Sequence, residues 1–252
     1  MMYELLSEFF SKDALGQYKI TLFSIYHILY VLIILGACAL AIYLTRNKDQ
    51  AFKEKVLKVY AIIALGLYIL DFFIMPFSEG EIDITKLPFH ICTLLSPFVV
   101  LSCYHETFKK LRTPIAVLAL VSSLMYLTYP GSAIDNESAF CYTVIQTFLF
   151  HGVMLNFGIL SLAYGFAKPE WKKIYYELVI ITLVALWATI GNYAYSTSEH
   201  SHDWFFVNGN TFPFIPKPLM PFTVIAAIFA MVAIIYSIYF GIKKLAEKKG
   251  LN

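Results

Sequence analysis

The sequence predicts an all-α fold, a polytopic membrane helix bundle of seven transmembrane helices with the N-terminus out and the C-terminus in. Three observations carry that prediction. Hydrophobic residues make up 59% of the chain and charged residues 14%, with a mean hydropathy of +0.68, far from the composition of a soluble domain. The apolar residues gather into seven runs, each close to the ~17–25 residues needed to cross a hydrocarbon core. The basic residues are dense in every second connection between those runs.

Taken in order, residues 1–19 come first, without the basic start or small-residue cleavage site of a signal peptide, so they are expected to be retained. Met2, Leu5, Leu6, Phe9 and Phe10 share one helical face against Glu4, Ser7, Glu8 and Ser11. That pattern suits a short amphipathic helix on the outer surface, and a flexible leader equally well. The transmembrane domain spans 20–242, with runs at 20–45, 56–76, 87–104, 114–130, 139–166, 173–196 and 219–242, and a basic cytoplasmic tail occupies 243–252. Runs of this length read as helices, because in lipid each backbone polar group must be satisfied within its own segment. The fifth run covers about 42 Å at ~1.5 Å per residue, against a core of about 30 Å. Its outer turns are therefore expected to tilt or protrude.

Orientation follows from the charges. Fifteen of the nineteen Lys and Arg residues fall in the first, third and fifth connections and the tail, from Arg46 and Lys48 through Lys109, Arg112, Lys168 and Lys172 to Lys248 and Lys249. Only Lys12, Lys19, Lys86 and Lys217 fall on the other side, which carries a cluster of acidic residues. This is the positive-inside bias, and losing one helix would scramble the alternation. The basic rim reads as topology and anionic-lipid contact, so nucleic acid is not an expected partner and the localisation is a multi-pass protein of the cell membrane. Cys38, Cys92, Cys103 and Cys141 all lie inside apolar runs, which implies no disulfide framework.

Polar residues inside the runs are the functional signal, because an ionisable group in a span costs about 2.5–3.5 kcal/mol on insertion scales and needs a partner or water. His27, Asp71, His90, Cys92 and Asn192 all fall within roughly 4–10 Å of the outer end of their runs at ~1.5 Å per residue. His151 lies about 18 Å from the start of the long fifth run, so tilting would bring it into the same layer, with Gln146 above it and Asn156 below. The inner halves are almost wholly apolar apart from Glu177. A one-sided polar layer predicts a site in the outer half, although single polar residues can equally serve to hydrogen-bond helices together.

In the third run Pro88 is well placed for the first helical position, which would put the positive end of a helix dipole near Cys92 and suit a nucleophilic sulfur. On a regular helix His90 and Cys92 point about 200° apart, so His151 from another helix is the better proton acceptor. A buried structural cysteine is the plainer alternative.

At these residues the chain resembles the YwaF-like integral membrane family, whose animal relatives include transmembrane protein 164, an acyltransferase that moves fatty acyl chains between glycerophospholipids. The resemblance covers nearly the whole chain. It runs through His27, Asp71, Leu87-Pro88-Phe89-His90-Ile91-Cys92, Thr128-Tyr129-Pro130, Gln146-Thr147-Phe148-Leu149-Phe150-His151-Gly152, Lys168-Pro169-Glu170-Trp171-Lys172 and Gly191-Asn192-Tyr193. The stretches around Cys92 and His151 are the specific ones. What the resemblance implies is a cysteine nucleophile at Cys92 and a catalytic histidine at His151.

Two classes of function follow. In the first, an integral membrane lipid acyltransferase or lipid-ester hydrolase uses Cys92 and His151 without a cofactor, with membrane phospholipid or lysophospholipid as substrate. His27, Asp71, His90, Gln146 and Asn192 would bind substrate or orient the pair, with Asp71 or Asn192 orienting His151 or donating to an oxyanion, and Gly131 and Gly152 would make room for acyl chains. In the second, a non-enzymatic seven-helix carrier or sensor binds a small ligand from the outer side, a reading that charged groups continuing through the inner half would favour. A metal site built from His90, His151, Asp71 and the stretch His200-Ser201-His202-Asp203 is a weaker third.

Overall fold

The computed structural model describes residues 9–11, 18–79, 84–130, 137–197, 202–208 and 214–250, and for 75–79 the backbone alone. Seven longer helices carry the architecture: α1 (Ile25–Thr45), α2 (Gln50–Glu79), α3 (Ile91–Tyr104), α4 (Arg112–Thr128), α5 (Tyr142–Ala163), α6 (Tyr175–Tyr195) and α7 (Met220–Lys248). Among the described residues there is no strand, only one isolated bridge between Lys19 and Ser138. Five helices (α1, α2, α5, α6 and α7) are long and apolar enough to cross a membrane, and α3 and α4 are shorter apolar helices of 14 and 17 residues.

Helix starts follow local chemistry. Ser24, in extended conformation, caps α1 by accepting from the His27 amide at 3.3 Å, and Asp49 accepts from the Phe52 amide at 2.7 Å ahead of α2. Inside α3, Pro97 has no N–H for the carbonyl of Thr93, and the Ser96 hydroxyl donates to that carbonyl instead at 2.9 Å. The chain leaves α5 through Gly165 at φ 75, a conformation that favours glycine just past a helix end.

Helix α5 is the centre of the bundle, packed on α1, α2, α3 and α4. Its apolar window is 78% buried, against 17% for α1, so α5 is surrounded by protein while α1 leaves most of its surface open at the periphery. Where α4 and α5 cross, a Cβ at Gly158 would stand 2.6 Å from the Ala116 carbonyl oxygen, so only glycine allows that approach. Gly152 is likewise covered by the Ile34 side chain of α1, which corrects the expectation that it opens room for acyl chains. Gly131 lies outside the described residues.

Two sequence boundaries shift. The third span, read as 87–104, is helical only from Ile91, about 21 Å at ~1.5 Å per residue. The long fifth run begins with a non-helical turn at 139–141, so α5 spans 22 residues and His151 lies nine residues, or about 14 Å, from its start. Of the N-terminal segment, Phe9 and Phe10 are described, helical and 6.1 and 5.5 Å from the Tyr142 ring.

Candidate functional site

The site is organised by a short non-helical segment, 84–90, that leads into α3. Trp187 on α6 donates its indole N–H to the Pro88 carbonyl at 2.8 Å, and Trp204 donates to the Thr85 carbonyl at 3.1 Å. The Phe89 ring stacks on Trp187 at 5.1 Å and tilts against Trp204 at 4.9 Å. Irregular backbone within an apolar bundle is stable only where it is packed in protein and its polar groups are paired, which this aromatic collar provides. Gly191 on α6 belongs to the collar, because a Cβ there would strike the Phe89 ring.

Pro88 therefore does not open the helix. His90 is the N-cap residue, with extended backbone at φ −88 and ψ 149, and Cys92 occupies the second helical position. The correction moves the sulfur closer to the helix start. The amides of Ile91, Cys92 and Thr93 have no intrahelical acceptor, as at any helix N-terminus. Cys92 is half-buried, whereas the other three free cysteines are buried. Because His90 is not helical, the argument from helical angle does not apply to it, and its tautomer decides instead.

Backbone partners set the tautomers of three histidines. The Phe205 amide donates to His90 Nδ1 at 3.3 Å, so that nitrogen is an acceptor already in use. His27 accepts from the Phe23 amide at Nδ1, 3.1 Å, and faces the Leu127 carbonyl with Nε2 at 2.9 Å, so both of its nitrogens are spent on backbone. His151 is the reverse case. Its Nδ1 faces the Thr147 carbonyl at 2.8 Å and must carry the proton, which leaves a lone pair on Nε2. The ring is clamped by Tyr126, stacked at 3.9 Å and 9°. A path of rings from Tyr126 through Phe148 links it to His27.

Asp71 on α2 is buried and pairs with Lys86 Nζ at 3.1 Å, while the Tyr142 hydroxyl donates to its other oxygen at 3.2 Å. Lys86 lies within electrostatic reach of His90, Cys92 and His151. Within the predicted set, the direct contact is the Asp71–Lys86 pair, and His90, Cys92 and His151 feel the charge of the same lysine. Two expectations about orientation change. The carbonyl of Thr147, not Asp71 or Asn192, holds His151, and Asn192 is engaged with Trp204, accepting from its amide at 2.8 Å and donating to its carbonyl at 3.2 Å. Gln146 donates to the Leu67 carbonyl at 3.1 Å and thereby joins α5 to α2.

Asn192 and His90 together hold the segment at 204–206. Phe205 and Phe206 sit at φ 59 and 57, a region that costs a bulky residue about 1–3 kcal/mol, and the Phe206 ring is 5.9 Å from His90. A cleft of about 390 Å³ beside it is lined by Thr189, Asn192, Tyr193, Ser196, Val207 and Asn208, and it shares only Asn192 with the predicted set. His202 stacks on Trp204 at 4.4 Å, and His200 and Ser201 lie outside the described residues. Among the described residues no group of three or more His, Cys, Asp or Glu side chains is arranged to hold a metal.

Sequence reasoning counted Lys86 only as a charge in the topology. A buried Asp71 required a cation, and Lys86 was the basic residue adjoining the Cys92 stretch, so the signal was present. Tyr126 carried none, because a ring stacked on an imidazole from another helix has no local signature.

All-helical architecture, five helices able to cross a bilayer and buried polar residues enclosed by apolar surface define a membrane protein. A model of the TMEM164 family matches residues 22–240, and the chain belongs to that family. The match extends from the cap of α1 to the last third of α7 and includes Asp71, Lys86, His90, Cys92 and His151. No curated protein and no solved structure matches the chain.

Proposed function

We propose that the chain is an integral membrane lipid acyltransferase, or lipid-ester hydrolase, in which Cys92 and His151 act together in the outer half of a seven-span bundle. The observation that supports this most is the tautomer of His151, whose Nε2 lone pair is the one a general base requires. The Cys92 sulfur attacks the carbonyl carbon of a lipid ester while its proton passes to His151 Nε2. The amides at the start of α3 suit the developing oxyanion. The carbon–oxygen bond to glycerol breaks, the leaving alkoxide takes the proton from His151, and an acyl-thioester remains on Cys92. A lysolipid hydroxyl, or water, then attacks the thioester, giving its proton to His151, which returns it to the sulfur. Every proton is accounted for, and no redox step is needed.

The test is to incubate purified protein in phospholipid nanodiscs and search the Cys92 peptide by mass spectrometry for a hydroxylamine-sensitive acyl mass. Acyl transfer that proceeds without a thioester on Cys92 overturns the reading. Absence of both thioester and transfer moves the weight to a ligand-binding carrier or sensor. The orientation rests on the fifteen-to-four split of basic residues. Cysteines introduced at 132–138 and 197–218 should label from outside and those at 168–172 should not; the inverse pattern puts the site in the inner leaflet.

A further inference from the structure

Helix α6 buries one face, beginning at Glu177 and continuing through Ile181, Val184, Ala185 and Ala188. Helix α7, packed against it, buries Val224, Ile228, Val232 and Tyr236, each four residues from the last. Along this length the two faces are apolar except where Glu177 meets Tyr236, whose hydroxyl donates to Glu177 Oε1 at 2.6 Å.

The burial is selective. Tyr175, Tyr176, Leu178 and Val179 are exposed, while Glu177 between them is 0% exposed and Tyr236 1%. A glutamate is almost never fully buried unless it is paired, so its inward position needs a cause. No cation supplies it. Among the described residues no Lys, Arg or His forms an ion pair with Glu177, and Lys173, four residues earlier, pairs with Glu170 at 2.8 Å. Glu177 Oε2 is buried and has no hydrogen-bond partner. Trp171 covers the pair, its ring 5.4 Å from that of Tyr236 and 6.1 Å from that of Phe240.

Two forms of the carboxyl can be weighed. As an anion it is a full charge out of water, with one phenol donor in compensation; as a neutral acid it leaves one O–H without an acceptor. The uncompensated ion is much the costlier, so the neutral acid is the stable form. A metal ion is no substitute, because it takes several oxygen ligands and this contact offers one carboxyl and one phenol.

We propose that the Glu177–Tyr236 contact is an intramembrane proton site: Glu177 binds one exchangeable proton as a carboxylic acid, Tyr236 holds its carbonyl oxygen, and the bound proton lets α6 and α7 close at this end. The site lies fifteen residues, or about 22 Å along α6, from Asn192. Its fate is therefore separate from that of the Cys92 reaction.

The first test is infrared spectroscopy of the full chain in an ester-free detergent near neutral pH. A carboxylic-acid C=O band that moves in D2O should be present in the wild type and absent in Glu177→Gln. Tyr236→Phe should keep the band and move it to higher frequency, because the hydrogen bond to the carbonyl oxygen is gone; a band that does not move removes Tyr236 from the site. The second test is covalent. Dicyclohexylcarbodiimide, which is lipid-soluble, takes the carboxyl proton on one nitrogen while the carboxylate oxygen adds to its central carbon. The O-acylisourea then rearranges to a stable N-acylurea, so the whole reagent is added and nothing leaves. Peptide mass spectrometry should find it on Glu177 at least about tenfold more than on Asp71, which is also buried but has Lys86 as a counter-ion at 3.1 Å. A spectrum that Glu177→Gln leaves unchanged overturns the proposal, as does reagent found equally on both carboxyls or on neither. Labelling uses the unaltered chain, so it decides the matter even if a variant misfolds.

Discussion

The two ends of α3 each place a cysteine beside a cation, and they differ in every respect that matters for chemistry. At the start, Cys92 is half-buried at the second helical position, near Lys86, with a histidine from α5 in the same electrostatic neighbourhood. At the far end, Cys103 is fully buried one residue from the helix terminus and near Arg112, Glu54 and Lys58. Arg112 donates from Nε to the Ser102 carbonyl at 2.9 Å, stands 3.6 Å from Glu54 and lies over the Phe166 ring. That arrangement closes a helix end, and its cation is buried, whereas Lys86, also paired with a carboxylate, is about a quarter exposed. The nearest histidine in sequence there, His105, is exposed and packs on Phe108. The helix dipole also favours an anion at the start of α3 and disfavours one at its end. A cysteine with a neighbouring cation is thus not by itself a nucleophile; access, dipole sign and an imidazole in the right tautomer separate the two.

The largest expected effect breaks the comparison outright. Cys92→Ala should abolish thioester formation and acyl transfer, while Cys103→Ala should leave the rate within about twofold, since a buried sulfur that touches no substrate contributes packing only. Loss of activity in both, with helical content intact, would erase the distinction.

Next comes the imidazole. His151→Ala should slow acyl transfer by ~10²–10⁴-fold, the usual value for lost acid–base catalysis. His27→Ala removes two bonds to backbone and should instead lower thermal stability, with a smaller effect on rate. If the two variants lose rate equally, His151 is one more bundle fastener.

Alkylation sharpens the same contrast without relying on the reaction. In detergent, a maleimide should modify Cys92 at least tenfold faster than Cys38, Cys103 or Cys141, read peptide by peptide, because thiol reactivity follows access and local positive potential. Uniform labelling would leave Cys92 an ordinary core residue.

The smallest effect concerns the collar that sets where α3 begins. Gly191→Ala pushes a methyl group into the Phe89 ring, and overpacking of this kind costs about 1–3 kcal/mol. A lower melting temperature with slower Cys92 labelling is expected. Unchanged values for both would mean that the segment at 84–90 holds its shape without α6.

Much of the architecture is legible in apolar run length, because a membrane span must satisfy its own backbone and advertises that need in consecutive residues. The 20–45 and 219–242 runs correspond closely to α1 and to the apolar part of α7. The start of α3 was misread because Pro88 suits a first helical turn locally, yet Trp187 and Trp204, about a hundred residues away, hold its carbonyl and that of Thr85 in a different conformation. Hydropathy also misleads about position. Helix α1 has a mean hydropathy of 2.5 and lies at the periphery, while α5, at 1.5, is the centre, because a helix enclosed by protein can carry His151, Gln146 and Asn156 and one facing lipid cannot.

By itself the sequence determined that this is a helical membrane protein related to transmembrane protein 164, and it singled out Cys92 and His151, because both kinds of signal lie in contiguous residues. Only the tertiary structure decided that His90 caps α3, that His27 is spent on backbone, that His151 keeps a lone pair and that Lys86 answers Asp71. Tautomers and ion pairs depend on which groups from distant segments come within about 3 Å, and no local pattern encodes that.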